Sequence, residues 1–110
     1  MHNNNDMPIM KLTDENGEEF IVSEEQVKIA FANCLKELRR YKGYILKQVA
    51  DGTGIPIATV QRYESGENTP SVVQAFKFSN FYKIDINDMF LAGHLDEYGR
   101  EKILEERIGK

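Results

Sequence analysis

Apolar positions recur along the chain at two different periods. Near the N-terminus, Ile9-Met10-Lys11-Leu12-Thr13 and Phe20-Ile21-Val22 flank the polar run Asp14-Glu15-Asn16-Gly17-Glu18-Glu19. Two short apolar strands around Asn-Gly predict a β-hairpin, because both residues tolerate the positive φ of a tight hairpin turn. A hairpin alone is marginal in water, so this one must pack on the rest of the chain or on a partner. The polar, Asn-rich residues 1–8 ahead of it read as a disordered tail.

From Ser23 onward the period becomes helical. Ser23 and Gln26 have capping-box spacing. Val27, Ala30, Phe31, Cys34, Leu35, Leu38 and Tyr41 recur at steps of three and four, predicting one buried face on a helix that runs to about Tyr41 and is closed by Gly43. Glu24 and Glu25 suit the positive end of that helix, and Arg39, Arg40 and Lys42 its negative end. Two short helices follow, at roughly 46–52 and 57–65. The polar turn Glu67-Asn68-Thr69-Pro70-Ser71 then leads into a helix of about 71–82, with Thr69 or Ser71 as cap and Pro70 in its first turn. It carries Val72, Ala75, Phe76, Phe78 and Phe81. Asp85 caps a last short helix, Ile86 to Ala92, which Gly93 terminates. Leu95, Tyr98, Ile103, Leu104 and Ile108 then predict a short terminal helix with a narrow apolar stripe, interrupted near Gly99. The chain divides into a tail and hairpin (1–22), a helical domain (23–92) and a C-terminal helical extension (93–110), with no internal repeat.

The 110 residues and 41% hydrophobic content suffice for one core. No apolar run approaches bilayer length, and Met1–Asp6 has neither a basic n-region nor an apolar h-region, so the expected setting is cytoplasmic, with no membrane partner. Cys34 is the single cysteine, which excludes an intrachain disulfide or a cysteine-based zinc site, and it falls on an apolar face as a core residue. The formal charge is −4. It is unevenly spread. Residues 1–30 hold two basic and seven acidic side chains, residues 31–91 eight basic against six acidic, and residues 92–110 four against five. The middle of the chain is mildly basic, so affinity for a polyanion should be weak and salt-sensitive unless particular contacts add to it.

Catalytic constellations are missing from the sequence. His2 and His94 are far apart, and no Cys-x-x-Cys, Gly-rich phosphate loop or Ser-His-Asp set occurs. Asp96-Glu97 and Glu101 with Glu105-Glu106 read as a solvated helix face. The expectation is therefore a non-enzyme with no cofactor, no metal and no small-molecule ligand.

The chemistry lies instead in Leu46–Asp51 and Gly54–Gly66. Two short helices joined by a Gly-containing turn make a helix-turn-helix, whose second helix enters the DNA major groove. From Leu35 to Leu91 the pattern resembles, without gaps, the five-helix DNA-binding domain of the phage-repressor (Cro/C1, Xre-type, lambda-repressor-like) family. Lys42-Gly43-Tyr44 resembles the link after that family's first helix. Val49-Ala50 resembles the Leu-Ala pair of the second helix, and Gly54-Ile55 the Gly-Val turn. Val60 resembles the buried aliphatic of the recognition helix, and Tyr63-Glu64-Ser65-Gly66 its exit. Asn68-Thr69-Pro70-Ser71 and Ile84-Asp85-Ile86-Asn87-Asp88-Met89-Phe90 resemble the start of the fourth helix and the fifth helix. The resemblance implies an all-α five-helix domain, here with an N-terminal β-hairpin and a C-terminal helix. It also implies sequence-specific binding of double-stranded operator DNA by a transcriptional regulator, a repressor of phage or mobile-element type.

With Val49, Val60 and Tyr63 inward, Ile57, Ala58, Thr59, Gln61 and Arg62 face a groove. Arg62 suits guanine and Gln61 adenine; Thr59 can bond a base or a phosphate; Ile57 and Ala58 suit thymine methyls. Ile57 can equally pack on the preceding helix. The chain departs from the family where Ile45 and Leu46 replace a capping Ser or Thr and a phosphate-binding Gln, and where Pro56 replaces a hydroxyl cap. Gly52 and Thr53 replace longer residues, the Gly costing its helix about 1 kcal/mol. Lys42, Tyr44, Lys47, Ser65 and Asn68 are the substitutes available for phosphate contact. Because one short helix reads few base pairs, a homodimer on paired half-sites is expected. Its contact is sought in hairpin 9–22, in segment 95–108, or in both, whose apolar residues have no place in a five-helix core. The competing reading is the same fold used as a protein-interaction module of antitoxin-like or anti-repressor-like kind, with Ile45, Leu46, Ile57 and Ala58 as an apolar patch.

Overall fold

Six helices and one β-hairpin make up the described residues, 8–13 and 16–109, of this computed structural model. Most of the expected N-terminal tail, residues 1–7, lies outside them. Strands β1 (Pro8–Thr13) and β2 (Glu19–Ser23) pair antiparallel, with Lys11 opposite Ile21 and Thr13 opposite Glu19, and the register shifts between Pro8 and Met10. The helices are α1 (Glu24–Lys42), α2 (Leu46–Thr53), α3 (Ile57–Glu64), α4 (Val72–Tyr82), α5 (Ile86–His94) and α6 (Glu97–Ile108).

Helix α1 begins at a complete capping box. Ser23 Oγ accepts from the Gln26 amide at 3.2 Å and Gln26 Oε1 accepts from the Ser23 amide at 2.9 Å, which satisfies two of the donors that a helix start leaves free. This helix is the axis of the fold, packing on α5, α3, α6 and β2. Its Cys34, Leu35 and Leu38 meet Val49, Ile55, Val60, Phe78, Tyr82, Ile84, Met89 and Leu104 in one core.

Several elements differ from the expectations above. Helix α5 does not stop at Gly93 but continues to His94. A Cβ on Gly93 would lie 1.9 Å from the Ala30 carbonyl oxygen, so this glycine lets α5 and α1 touch backbone to backbone. Helix α6 is not interrupted at Gly99: Asp96 caps it, its Oδ1 accepting from the Gly99 amide at 2.8 Å. The apolar residues of the C-terminal segment also have a place, with Leu104 fully buried and Ile103 and Ile108 packed against the core. Arg100 Nε reaches Glu37 Oε1 at 3.4 Å and Nη1 donates to the Leu95 carbonyl at 2.7 Å, while the Tyr41 hydroxyl donates to the Gly109 carbonyl. Pro70 lies ahead of α4 rather than in its first turn, because Ser71 is the N-cap, accepting from the Gln74 amide. Within α4, Ala75 and Phe78 are buried, but Val72 and Phe76 point to solvent.

Candidate nucleic-acid interface

The α2–α3 corner is built by two residues at the end of α2. Thr53, nearly buried, donates its hydroxyl to the Val49 carbonyl at 2.7 Å and accepts from the Ile55 amide at 3.2 Å. Its hydroxyl thus ties the last turn of α2 to the turn beyond it, a use that the mere replacement of a longer residue at position 53 does not reveal. Gly54 then adopts φ +74°, where a side chain would be strained, and donates its amide to the Ala50 carbonyl. Ile55 drops into the core, and Pro56 starts α3 with its carbonyl accepting from the Thr59 and Val60 amides.

Gly52 has a packing role as well. A Cβ there would lie 2.1 Å from Cε1 of Phe81, so the bare backbone of α2 is the surface on which that ring rests. The start of α2 lacks an acceptor at Ile45, but Gln48 Oε1 accepts from the Ile45 amide at 2.9 Å, supplying half of a capping box.

Helix α3 presents two faces. Val60 and Tyr63 turn inward, the latter edge-on to Phe78 with centroids 6.0 Å apart. Ile57, Ala58, Gln61 and Arg62 are exposed and Thr59 is half-buried. The structure therefore places four of these five residues on one exposed surface of α3, with Thr59 at its half-buried edge. The five phosphate candidates are less uniform. Lys47, Ser65 and Asn68 are exposed, and Lys42 is half-buried at the end of α1. Tyr44 is half-buried with its ring committed to packing, 5.5 Å from Phe81 and 6.3 Å from Tyr82.

Each of the two cations on this surface has a carboxylate beside it. Lys47 Nζ pairs with Asp51 Oδ2 at 2.9 Å, and Arg62 Nε lies 3.7 Å from Glu67 Oε2. Both pairs are exposed, so each holds its cation only loosely.

The rear of α3 is anchored differently. Arg39 Nε donates to both Glu64 oxygens, at 2.9 and 3.1 Å, and Arg39 Nη1 donates to the Tyr44 carbonyl at 3.3 Å. Glu64 is buried, so this pair joins α1, the α1–α2 link and the end of α3 in a region of lowered dielectric. The hydrogen bond to Glu64 raises the guanidinium pKa further. In the sequence Arg39 reads as a dipole partner and Glu64 as part of an exit motif, and their 25-residue separation gives no signal of contact.

Cys34 is fully buried, and that burial pushes its thiol up to about 12, which leaves it a core residue without nucleophilic character. Among the described residues no group of three or more His, Cys, Asp and Glu side chains is placed to hold a metal ion, and no helix is long and apolar enough to cross a membrane.

Compared with known proteins, residues 35–89, half of the chain, match a family described as helix-turn-helix. No curated protein and no solved structure matches it.

Proposed function

The chain belongs to the Cro/C1-type, Xre-like helix-turn-helix family, and from that premise we propose that it is a sequence-specific DNA-binding regulator that represses transcription. One observation carries this reading: Ile57, Ala58, Gln61 and Arg62 share the solvent face of α3, with the half-buried Thr59 at its edge, while the opposite face is fixed by Val60, Tyr63 and the Arg39–Glu64 pair. A rigid helix with a free polar face is what major-groove docking requires. Arg62 reads a guanine and Gln61 an adenine, with Thr59 beside them and the apolar Ile57 and Ala58 against thymine methyls. Lys42, Lys47, Ser65 and Asn68 supply phosphate contacts that set register. Two copies on paired half-sites occlude polymerase at the operator.

The test is a fluorescence-anisotropy titration of random-sequence and genomic DNA at low salt, followed by selection of bound sites from a random library. Enrichment of a short motif whose recovery depends on Arg62 and Gln61 supports the reading. Absence of binding at high micromolar protein overturns it. The exposure of Ile45 (62%) and Ile57 (46%) beside the same turn favours a second reading, a protein-binding module, which that outcome would leave standing.

A further inference from the structure

We propose that Glu67 is a specificity-determining residue of the DNA-reading surface. It acts through Arg62, the side chain assigned to guanine, as a positioning residue that releases its partner only to the paired acceptors of that base. The role rests on the DNA-binding reading and adds a residue that lies beyond the outward face of α3.

The backbone puts the carboxylate in place. After α3 ends at Glu64, Gly66 turns the chain at φ +78°, and the segment beyond folds back over the last turn of the helix. The Arg62 carbonyl then accepts from the Glu67 amide at 3.0 Å, the Asn68 amide at 3.2 Å and the Ser65 hydroxyl at 3.1 Å. The Ser65 hydroxyl in turn accepts from the Glu67 amide at 3.4 Å. The main chain of Glu67 is thus pinned to the main chain of the residue that its side chain meets, and Glu67 Oε2 lies 3.7 Å from Arg62 Nε. Lys47 and Asp51 are arranged differently. They are an i, i+4 pair on one exposed helix face, and an ammonium has no planar fork to orient.

A carboxylate beside Nε restricts the guanidinium while leaving its Nη amino groups to donate to O6 and N7 of guanine. It also repels any phosphate that would draw Arg62 away from the groove. A lone neutral acceptor on another base offers less than the charged carboxylate does, whereas the two acceptors of guanine together offset its loss. Because both side chains are exposed the restraint is weak, so guanine can overcome it. Glu67 therefore lowers affinity for every sequence and sharpens the preference at one base pair, discriminating by opposing the wrong partners.

The test uses the full chain and the duplex that selection from a random library enriches. Anisotropy titrations compare it with the three duplexes changed at the base pair whose preference Arg62→Ala relaxes. Glu67→Gln should bind all four more tightly than the native chain, yet the ratio between the selected duplex and the others should fall about two- to tenfold, the effect of ordering one long side chain. In an Arg62→Ala background, Glu67→Gln should still raise affinity, through the charge it removes, and leave the ratio unchanged. A general charge effect or a disturbed turn would not depend on Arg62 in this way. An unchanged ratio in Glu67→Gln, a fall that persists without Arg62, or a selected site at which Arg62→Ala relaxes no base pair would overturn the proposal while leaving DNA binding intact. Failure to bind DNA at all removes the DNA-binding reading, and the role of Glu67 with it.

Discussion

Arg39 Nε lies 2.9 Å from Oε2 and 3.1 Å from Oε1 of Glu64, joining the first helix to the end of the helix that carries the exposed polar face. Arg39→Ala leaves the Glu64 carboxylate buried and unpaired. Full burial would cost roughly 3–5 kcal/mol, and the partial exposure of the arginine lowers that to about 2–3 kcal/mol. Urea unfolding of the single variants and of Arg39→Ala/Glu64→Ala should show strong non-additivity, the double variant being less unstable than the two losses summed. Additive losses would mean that the pair contributes nothing as a pair.

The acids beside Lys47 and Arg62 give a prediction with two signs. Arg62→Ala should weaken a selected site by about 1–3 kcal/mol and relax the base preference at one position, whereas Lys47→Ala should weaken all sequences alike and reduce the salt slope by about one. Asp51→Asn and Glu67→Gln should do the opposite, raising affinity by freeing Lys47 and Arg62 and removing a negative charge. Titrations at several salt concentrations check both. Unchanged affinity in Glu67→Gln would show that the 3.7 Å contact does not compete with DNA.

Two glycines should respond unequally to the same methyl group. At Gly93 the added Cβ meets the Ala30 backbone, which cannot turn aside, so Gly93→Ala should cost about 3 kcal/mol or more. At Gly52 it meets the ring of Phe81, the far end of a partly exposed side chain, and alanine regains about 1 kcal/mol of helix propensity. Gly52→Ala should therefore cost clearly less than Gly93→Ala, the regained propensity offsetting part of the displacement of the ring. Thermal melts of both variants decide this, and equal losses would contradict the distinction.

His94 sits edge-on to Phe90, ring centroids 4.6 Å apart, and burial there lowers its pKa below the usual 6.5. Between the folded and the unfolded value, the unfolded chain holds a proton that the folded chain lacks. Stability from this group is present above pH 6.5 and falls as pH drops through that window. The melting temperature should decline modestly from pH 7.5 to 5.5, and His94→Gln should flatten that part of the profile. A variant with the same slope would assign the effect to other groups.

Much of this architecture can be read from residue spacing, and the parts that cannot share a cause. The frame from Leu35 to Leu91 is legible because Val49, Val60 and Tyr63 are inward at helical spacing and Gly54 marks a turn needing positive φ. Helix α4 is not legible in orientation: Val72, Val73, Ala75, Phe76, Phe78, Phe81 and Tyr82 surround it with apolar side chains, so periodicity cannot say which face is buried. Gly93 and Gly52 look like helix breakers until the neighbour that fills the missing Cβ's place is known. Gly99 looks like a break for the same reason, though Asp96 caps its amide. Of the interface, the outward side chains of α3 were predictable from phase alone. The carboxylates beside Lys47 and Arg62, and the anchor behind Glu64, depend on rotamers and distant partners.

The last helix has a consequence for how the molecule is made. Helix α1 comes early in the chain, yet Glu37 meets Arg100, Leu104 completes the core, and the Tyr41 hydroxyl meets Gly109. On a ribosome, the first helix must therefore wait with part of its apolar face uncovered while some sixty further residues are added. Until the last helix has emerged that face stays open, so a pause in translation before that point should expose the nascent chain to chaperones and proteases.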